Sequence, residues 1–159
     1  MKITIICVGK IKEKYLKDAV LEYKKRLSRF CKIDIVEVLD KEIPDNCSAN
    51  EEELVKKKEA QEILKRLNLD SEIIVLDIRG EMLDSCELAQ KINNYMTYGK
   101  SNISIIIGGS LGLHKNVLDI ANYKLSFSKM TFPHKLMRVI LLEQLYRAFK
   151  IINNETYHK

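Results

Sequence analysis

The sequence predicts an α/β fold with a mostly parallel sheet and flanking helices. Strand-like apolar segments alternate with amphipathic helical segments along the whole chain, and residues 103–107 form an apolar strand that runs directly into a glycine-rich turn. Alternation of this kind is typical of a parallel sheet with both faces covered by helices. The 159 residues suffice for one domain with an ordinary core, and we predict that residues 1–159 form that domain.

The first half of the chain predicts two strands and two helices. Residues 2–8 form an apolar strand, and residues 13–30 carry apolar side chains at three- and four-residue steps, which indicates a helix. Residues 33–39 alternate apolar and polar side chains, as expected for a strand nearer an edge of the sheet. After a polar loop, Ser48 and Glu51 have the spacing of a capping box, which predicts a helix to about residue 67.

The second half continues the alternation. Arg79-Gly80 is predicted to turn the chain out of the third strand. The predicted elements are, in order, a strand at 72–78, a helix from the cap at Asp84 to 96, a strand at 102–107, a short helix at 115–120, a strand at 123–127 and a helix at 133–150.

Three strand ends are candidates for one ligand pocket, because ligands of open parallel sheets bind at the carboxyl ends of the strands. These ends are residues 76–80, 108–112 and 127–132. The glycine turn lacks the Gly-Lys-Ser/Thr of a phosphate-binding loop, and its glycines do not have the G-x-G-x-x-G spacing of a dinucleotide site. The sequence therefore predicts a pocket for a ligand of another kind.

The charge of the chain leaves a polyanionic partner open without requiring one. The net charge is +5, from 27 basic and 22 acidic residues. Lys56-Lys57-Lys58 is a candidate RNA-facing cluster, but Glu52 and Glu53 precede it at i,i+4 spacing. We favour an ordinary solvated helix face for this cluster.

Neither a metal site nor a membrane segment is predicted. Four scattered cysteines without a C-x-x-C pair, and three histidines not spaced to complete a site with them, indicate reduced thiols. Apolar runs are short, and the opening residues form a strand and not the core of a signal peptide. We therefore expect a cytoplasmic protein.

The last predicted helix is apolar over most of its circumference. A single sheet face cannot cover so wide an apolar surface, and a homodimer is the simplest source of a second partner. The alternative is a helix enclosed by other elements of the same chain.

Several long motifs carry a resemblance to a known family. They are Gly-Gly-Ser-Leu-Gly-Leu at 108–113, Leu-Ser-Phe-Ser-Lys-Met-Thr-Phe-Pro-His at 125–134, Arg138 with Glu-Gln-Leu-Tyr-Arg-Ala-Phe at 143–149, and Tyr-His-Lys at 157–159. Over its whole length the chain resembles the pseudouridine-N3 methyltransferases of large-subunit (23S) ribosomal RNA, in the SPOUT class. The resemblance implies a C-terminal deep trefoil knot and an obligate homodimer.

The resemblance also implies the cofactor S-adenosylmethionine and its binding residues. These residues are Leu76, Gly108, Phe127, Ser128, Lys129, Met130, Thr131 and Phe132. They lie on the three strand ends already predicted to form a pocket. Without the resemblance, Met130 and Phe132 would be interpreted as core residues.

The implied reaction is methylation of N3 of a pseudouridine in 23S ribosomal RNA, on the assembled ribosome. His158 is the first candidate for accepting the N3 proton, Tyr157 for stacking on or orienting the base, and Lys159 for contacting a phosphate or a base carbonyl. Family members carry arginine where this chain has Lys159. His134, at a helix start, ranks below these residues as a catalytic candidate.

Three alternatives stand beside this interpretation. The Tyr-His-Lys segment is otherwise typical of a frayed tail. A nonenzymatic RNA- or ribosome-binding dimer would share the same fold, and an unrelated nucleotide-binding enzyme would share the parallel sheet. The missing phosphate-lysine motif argues against the last of these.

Overall fold

A computed structural model describes residues 1–157 and contains every predicted element. The elements are β1 (Lys2–Val8), α1 (Lys14–Leu27), β2 (Lys32–Val38), α2 (Ala49–Arg66), β3 (Glu72–Met82), α3 (Ser85–Thr97), β4 (Asn102–Ile107), α4 (Lys115–Leu118), β5 (Tyr123–Ser126) and α5 (His134–Ile152). Most of their ends lie within about two residues of the predicted ones, which is the usual uncertainty of an element boundary.

The five strands form one parallel sheet in the order β2-β1-β4-β3-β5. β1 pairs with both β2 and β4, so that Ile5 lies opposite Ile35 on one side and Ile105 on the other. The predicted parallel sheet is therefore confirmed, and β2, with its alternating pattern, lies at an edge as expected.

The sheet is buried on both faces, which explains the isoleucine-rich strands. Side chains alternate along β4: Ile105 packs with α3 and α5 residues such as Ile92 and Leu142, and Ile106 packs on the opposite face with Ile63 of α2 and Val117 of α4. One face is thus covered by α1, α3 and α5, and the other by α2 and α4.

Capping boxes begin α2 and α3. Ser48 accepts a hydrogen bond from the backbone N–H of Glu51 at 3.3 Å and donates its own N–H to the Glu51 carboxylate at 2.7 Å. Asp84 and Glu87 form the same reciprocal pair at the start of α3. These contacts satisfy N–H groups that have no partner within the helix, as the sequence pattern predicts.

The helix α5 is enclosed mainly by its own chain. It packs between α1 and α3 on one face of the sheet, and seven of its residues are buried there. Packing within a single chain, which is the alternative to a helix at a subunit interface, therefore covers most of the apolar surface of α5. The homodimer and the trefoil knot both stay predictions.

The predicted turn at Arg79-Gly80 is wrong, because β3 continues to Met82. Leu76 and Glu81 both pair with Leu125 of β5, so the four residues between them bulge from the ladder. Pairing resumes beyond Gly80 because this glycine approaches β5 closely: a Cβ at Gly80 would lie 2.6 Å from the carbonyl oxygen of Lys124. Gly80 therefore allows β3 and β5 to lie close together, and it does not reverse the direction of the chain.

Candidate active site

One cavity of about 420 Å³ lies at the carboxyl ends of β4 and β5 and at the bulge of β3. The three predicted strand ends meet there, as expected for a parallel sheet. Of the eight residues predicted to bind the cofactor, seven line this cavity: Leu76, Gly108, Phe127, Ser128, Met130, Thr131 and Phe132. Lys129 does not line the cavity, and its role stays a prediction.

The glycine turn after β4 forms one wall. The backbone N–H of Gly112 donates to the carbonyl of Gly109 at 3.1 Å, and Gly112 adopts a φ of +80°, which disfavours residues with a Cβ. A Cβ at Gly108 would lie 3.0 Å from both the Gly112 carbonyl carbon and the Leu113 side chain. Glycine therefore lets this wall close tightly while its backbone faces the cavity.

The bulge of β3 forms the second wall. Asp77 accepts hydrogen bonds from the backbone N–H of Arg79 at 2.9 Å and from its guanidinium at 3.0 Å. Burial acts to raise the pKa of Asp77, but these contacts with Arg79 hold that pKa below its ordinary value. Asp77 is thus ionised at neutral pH and already paired with a cation.

Residues 126–132 form the third wall. Ser126 donates to the carbonyl of Ser128 at 3.0 Å, and the Ser128 hydroxyl accepts from the N–H of Met130 at 3.0 Å. Met130 is 73% exposed and Phe132 is 36% exposed. Their interpretation as core residues is therefore wrong, and this segment offers apolar side chains and backbone groups to the cavity.

Lys56 is a cavity residue that the sequence interpretation placed on a solvated face. Its ammonium lies 2.8 Å from the Glu53 carboxylate, which also lies 3.0 Å from Nε2 of His114 after the glycine turn. The paired residues are thus three apart, and not four apart as predicted. Lys57 and Lys58 are exposed, as expected for a solvated face.

His134 and Arg138 support the cavity from the start of α5. His134 lines the cavity, and its Nε2 is buried with no hydrogen-bond partner in residues 1–157. Burial, together with the positive charges of Arg138 and Lys135, lowers the pKa of His134, so the ring is neutral near pH 7. Arg138 is only 1% exposed, which makes it part of the interior and not an RNA-facing cation.

Tyr157 is packed against α5 and is not a frayed residue. Its hydroxyl donates to Glu143 at 3.2 Å, and its ring meets that of Tyr146 edge-to-face with centroids 4.9 Å apart. Burial, a hydrogen bond with Tyr23 and the Glu143 carboxylate raise the pKa of Tyr157 to about 12. His158 and Lys159 lie outside the described residues.

Tyr157 does not reach the cavity of its own chain. Met137 is the α5 residue farthest along the helix that lines the cavity, and Glu143 and Tyr146, which Tyr157 contacts, follow six and nine residues later. At 1.5 Å of rise per residue these positions lie about 9 and 14 Å along the helix from Met137. The structure therefore brings together seven of the eight predicted cofactor residues but does not bring Tyr157 to them.

Within residues 1–157, no group of three or more His, Cys, Asp or Glu side chains is placed to hold a metal ion. The four cysteines are free, and burial raises the pKa of the Cys7 thiol to about 12 and that of Cys31 to about 11. Of the helices in the same part of the chain, none has both the length and the apolar character of a membrane span.

Comparison with known proteins decides the family. The family model described as "Predicted SPOUT methyltransferase" matches residues 1–158. The chain belongs to the SPOUT methyltransferase family. This SPOUT methyltransferase is 57% identical over 159 residues to the ribosomal RNA large subunit methyltransferase H of Acetivibrio thermocellus and 60% identical to that of Clostridium novyi, with 100% of each chain covered.

A solved structure shows the same fold at low identity. A probable methylase family protein from Haemophilus influenzae matches with a TM-score of 0.55 and 16% sequence identity, over 99% of this chain and 70% of the other. The α/β architecture of this SPOUT methyltransferase is thus shared with a distant protein.

Proposed function

We propose that this SPOUT methyltransferase transfers a methyl group from S-adenosylmethionine to N3 of a pseudouridine in 23S ribosomal RNA, on the assembled ribosome. The observation that carries the proposal is the 57–60% identity, over the full length, to proteins named ribosomal RNA large subunit methyltransferase H. A ribosomal substrate also agrees with the expected cytoplasmic location.

The residues at the cavity fit this cofactor. A volume of about 420 Å³ is within the usual range for small-molecule sites. Adenine requires an apolar slot with backbone donors and acceptors, which Leu76, the turn at Gly108 and residues 127–132 supply. The cofactor would provide the methyl group on a positively charged sulfur, and it has no phosphate that needs a Gly-Lys-Ser/Thr loop.

The chain must position the base and remove a proton. N3 of a pseudouridine is a weakly acidic imide, so it loses its proton before or during attack on the methyl group. In the proposed mechanism His158 accepts this proton, Tyr157 orients the ring and Lys159 stabilises negative charge on a flanking oxygen. An imidazole with an ordinary pKa of about 6.5 suits proton transfer at cytoplasmic pH.

A homodimer would complete the site. Tyr157 packs about 9–14 Å along α5 from the cavity of its own chain, so a tail that acts there is more readily supplied by a second copy. Exposed apolar side chains line the cavity at Ile78 and Met130, where a second copy would bury them. These two observations support the proposed homodimer independently of the composition of α5.

Radiolabelled methyl transfer tests the reaction. Ribosomes that lack the modification are offered with and without prior pseudouridylation, and we expect label only in the pseudouridylated sample. Equal labelling of both samples would refute the stated substrate. Calorimetry with S-adenosylmethionine is the companion measurement, since a folded dimer that binds no cofactor at millimolar concentration is not an enzyme of this kind.

Truncation of residues 157–159 tests the tail. We expect turnover to be lost while cofactor binding, measured by calorimetry, is kept. Tyr157→Phe is the milder variant, because it removes only the hydroxyl that donates to Glu143. Unchanged turnover after truncation would return the segment to a structural role.

A further inference from the structure

The positive charge of the chain is concentrated between residues 10 and 32. This stretch holds nine Lys and Arg against three Asp and Glu, a formal charge of +6, whereas the whole chain carries +5. The other residues together are therefore close to neutral, at −1. A concentration of charge on one element indicates a surface for a polyanion more strongly than the net charge does.

Four lysines of α1 form what we call the α1 basic face: Lys14, Lys17, Lys24 and Lys25. All four are exposed, and their spacing of three, seven and one residues places them on the same side of the helix. Within residues 1–157, none of these four lysines lies within ion-pair distance of a carboxylate.

Two of the three acidic residues in this stretch are paired with cations outside the α1 basic face. Glu13 is paired with Lys135 at 3.1 Å, and Glu22 is paired with Arg26 at 2.7 Å. The third, Asp18, is exposed, forms no ion pair within residues 1–157 and lies on the same side of α1 as the four lysines. The α1 basic face together with Asp18 therefore presents a net charge of +3 to a ligand.

An exposed aromatic ring accompanies these lysines. Tyr15 is 71% exposed, although it lies between Lys14 and the buried Leu16. A tyrosine ring beside several cations suits a partner that has both phosphates and unstacked bases. Proteins bind single-stranded nucleic acid through ion pairs with its phosphates and through stacking of aromatic rings on its bases. An acidic protein segment would use the lysines but would not need the ring.

The α1 basic face lies between the cavity and the tail of its own chain, which in the proposed homodimer belong to two different active sites. Its start adjoins the cavity, because Glu13 binds Lys135, the neighbour of the cavity residue His134. Its end adjoins the tail, because the guanidinium of Arg26 lies 5.9 Å from the ring centroid of Tyr146, on which Tyr157 packs. A helix of 14 residues is about 21 Å long, enough to contact several phosphates.

We propose that the α1 basic face binds the phosphate backbone of the substrate RNA and leads that strand to the active site. The proposal rests on the proposed function for the identity of the RNA. It requires only ion pairs with phosphates and stacking on Tyr15, and so it predicts an effect on RNA affinity and none on the chemical step.

Paired lysine variants test the proposal. Lys17→Gln/Lys25→Gln removes two charges from the α1 basic face, and Lys57→Gln/Lys58→Gln removes two exposed charges from α2 as a matched control. For the first variant we expect KM for ribosomes to rise roughly tenfold, with kcat and cofactor affinity unchanged. The dependence of log Kd on log salt should also become shallower by about 1 to 2. The control should match the unmodified protein.

A charge-keeping variant and direct binding measurements distinguish loss of RNA contact from other causes of a raised KM. Lys17→Arg/Lys25→Arg keeps the charge and should restore KM, which excludes a folding defect. Equal KM for the test and control variants would overturn the proposal. A loss of affinity for ribosomes but not for protein-free large-subunit RNA would also overturn it, because the lysines would then contact ribosomal protein. Sedimentation with ribosomes measures binding directly, so it tests this face even if the proposed methylation is refuted.

Discussion

The guanidinium of Arg138 lies 2.7 Å from Oε1 of Glu37, in an ion pair that joins the start of α5 to β2. The same guanidinium donates to the backbone carbonyl of Val8 at 3.0 Å and to that of Gly9. One side chain therefore joins α5 to the carboxyl ends of two strands. Since His134 is one turn earlier on α5, this contact also fixes a wall of the cavity.

Replacing Arg138 should strongly destabilise the fold. Arg138→Met leaves the carbonyls of Val8 and Gly9 without this donor, and each buried acceptor left unpaired typically costs about 1–3 kcal/mol. The Glu37 carboxylate loses its cation but is 34% exposed and keeps the N–H of Ile11, so it adds less. Urea unfolding measures the loss. The control is Arg26→Met, whose partner Glu22 is in solvent and where we expect a much smaller change. Similar losses for both variants would show that burial of the Arg138 pair is unimportant.

Gly80→Ala should weaken cofactor binding through the sheet. The added methyl group would lie 2.6 Å from the Lys124 carbonyl oxygen, so β3 and β5 must separate at the cavity, at a cost of about 1–3 kcal/mol. Gly99→Ala is a control of similar stability loss, because its φ of +75° is strained for alanine, about 1–2 kcal/mol, although no atom lies within 4 Å. Calorimetry should show reduced affinity for S-adenosylmethionine in Gly80→Ala only.

The stability of the protein should depend on His134 in weakly acidic solution. The pKa of His134 is lowered in the folded state by burial and by Arg138 and Lys135, from an ordinary value of 6.5. Below that value the unfolded chain binds a proton more readily than the folded one, so stability present above pH 6.5 is lost as the pH falls. Urea unfolding at pH 7.5 and 5.5 should show a smaller decrease for His134→Gln. An equal decrease would contradict the assignment.

Glu59 should show the opposite dependence on pH. It is 5% exposed, accepts from the N–H of Lys41 at 3.1 Å, and has its pKa raised above 4.5 by burial. The ionised folded form is therefore penalised as the pH rises above 4.5, and Glu59→Gln should gain stability over the unmodified protein between pH 4.5 and 7. In Glu62, by contrast, Lys65 and Arg66 lower the pKa from 4.5 to about 2, so its stabilising contribution is present above pH 4.5 and is lost as the pH falls towards 2. Glu62→Gln should therefore lose less stability than the unmodified protein between pH 4.5 and 2.5. Unfolding curves at pH 7, 4.5 and 2.5 decide both signs.

Local sequence patterns predicted the architecture well, because the interactions that form strands, turns and helix starts involve residues close together in the chain. Period-two alternation placed β2 at the edge of the sheet, and the spacing of Ser48 with Glu51 placed the start of α2. The glycine turn at residues 108–112 followed from strand length and composition. Each of these signals lies within a few residues of the structure that it predicts.

Long-range contacts account for what sequence reasoning missed. Gly80 resembles a turn residue, but its role is set by Lys124, 44 positions away in the chain. Lys56 belongs to a charged helix face, and only the approach of α2 to the glycine turn directs it to the cavity. Arg138 is buried by contacts with carbonyls at the end of β1, about 130 positions earlier in the chain. No signal near these residues in the sequence reveals their partners.

Because β3 carries a bulge, insertions or deletions there can alter the shape of the cavity while the sheet keeps its pairing. Residues 77–80 lie between two pairings with the same residue, Leu125, so a chain with a longer or shorter bulge would still rejoin the ladder at Glu81 in the same register. A single-residue slip would otherwise reverse the faces of every following side chain. Evolution can therefore alter the ligand that this wall accepts by inserting or deleting residues here, while the core on both sides of the strand keeps its packing.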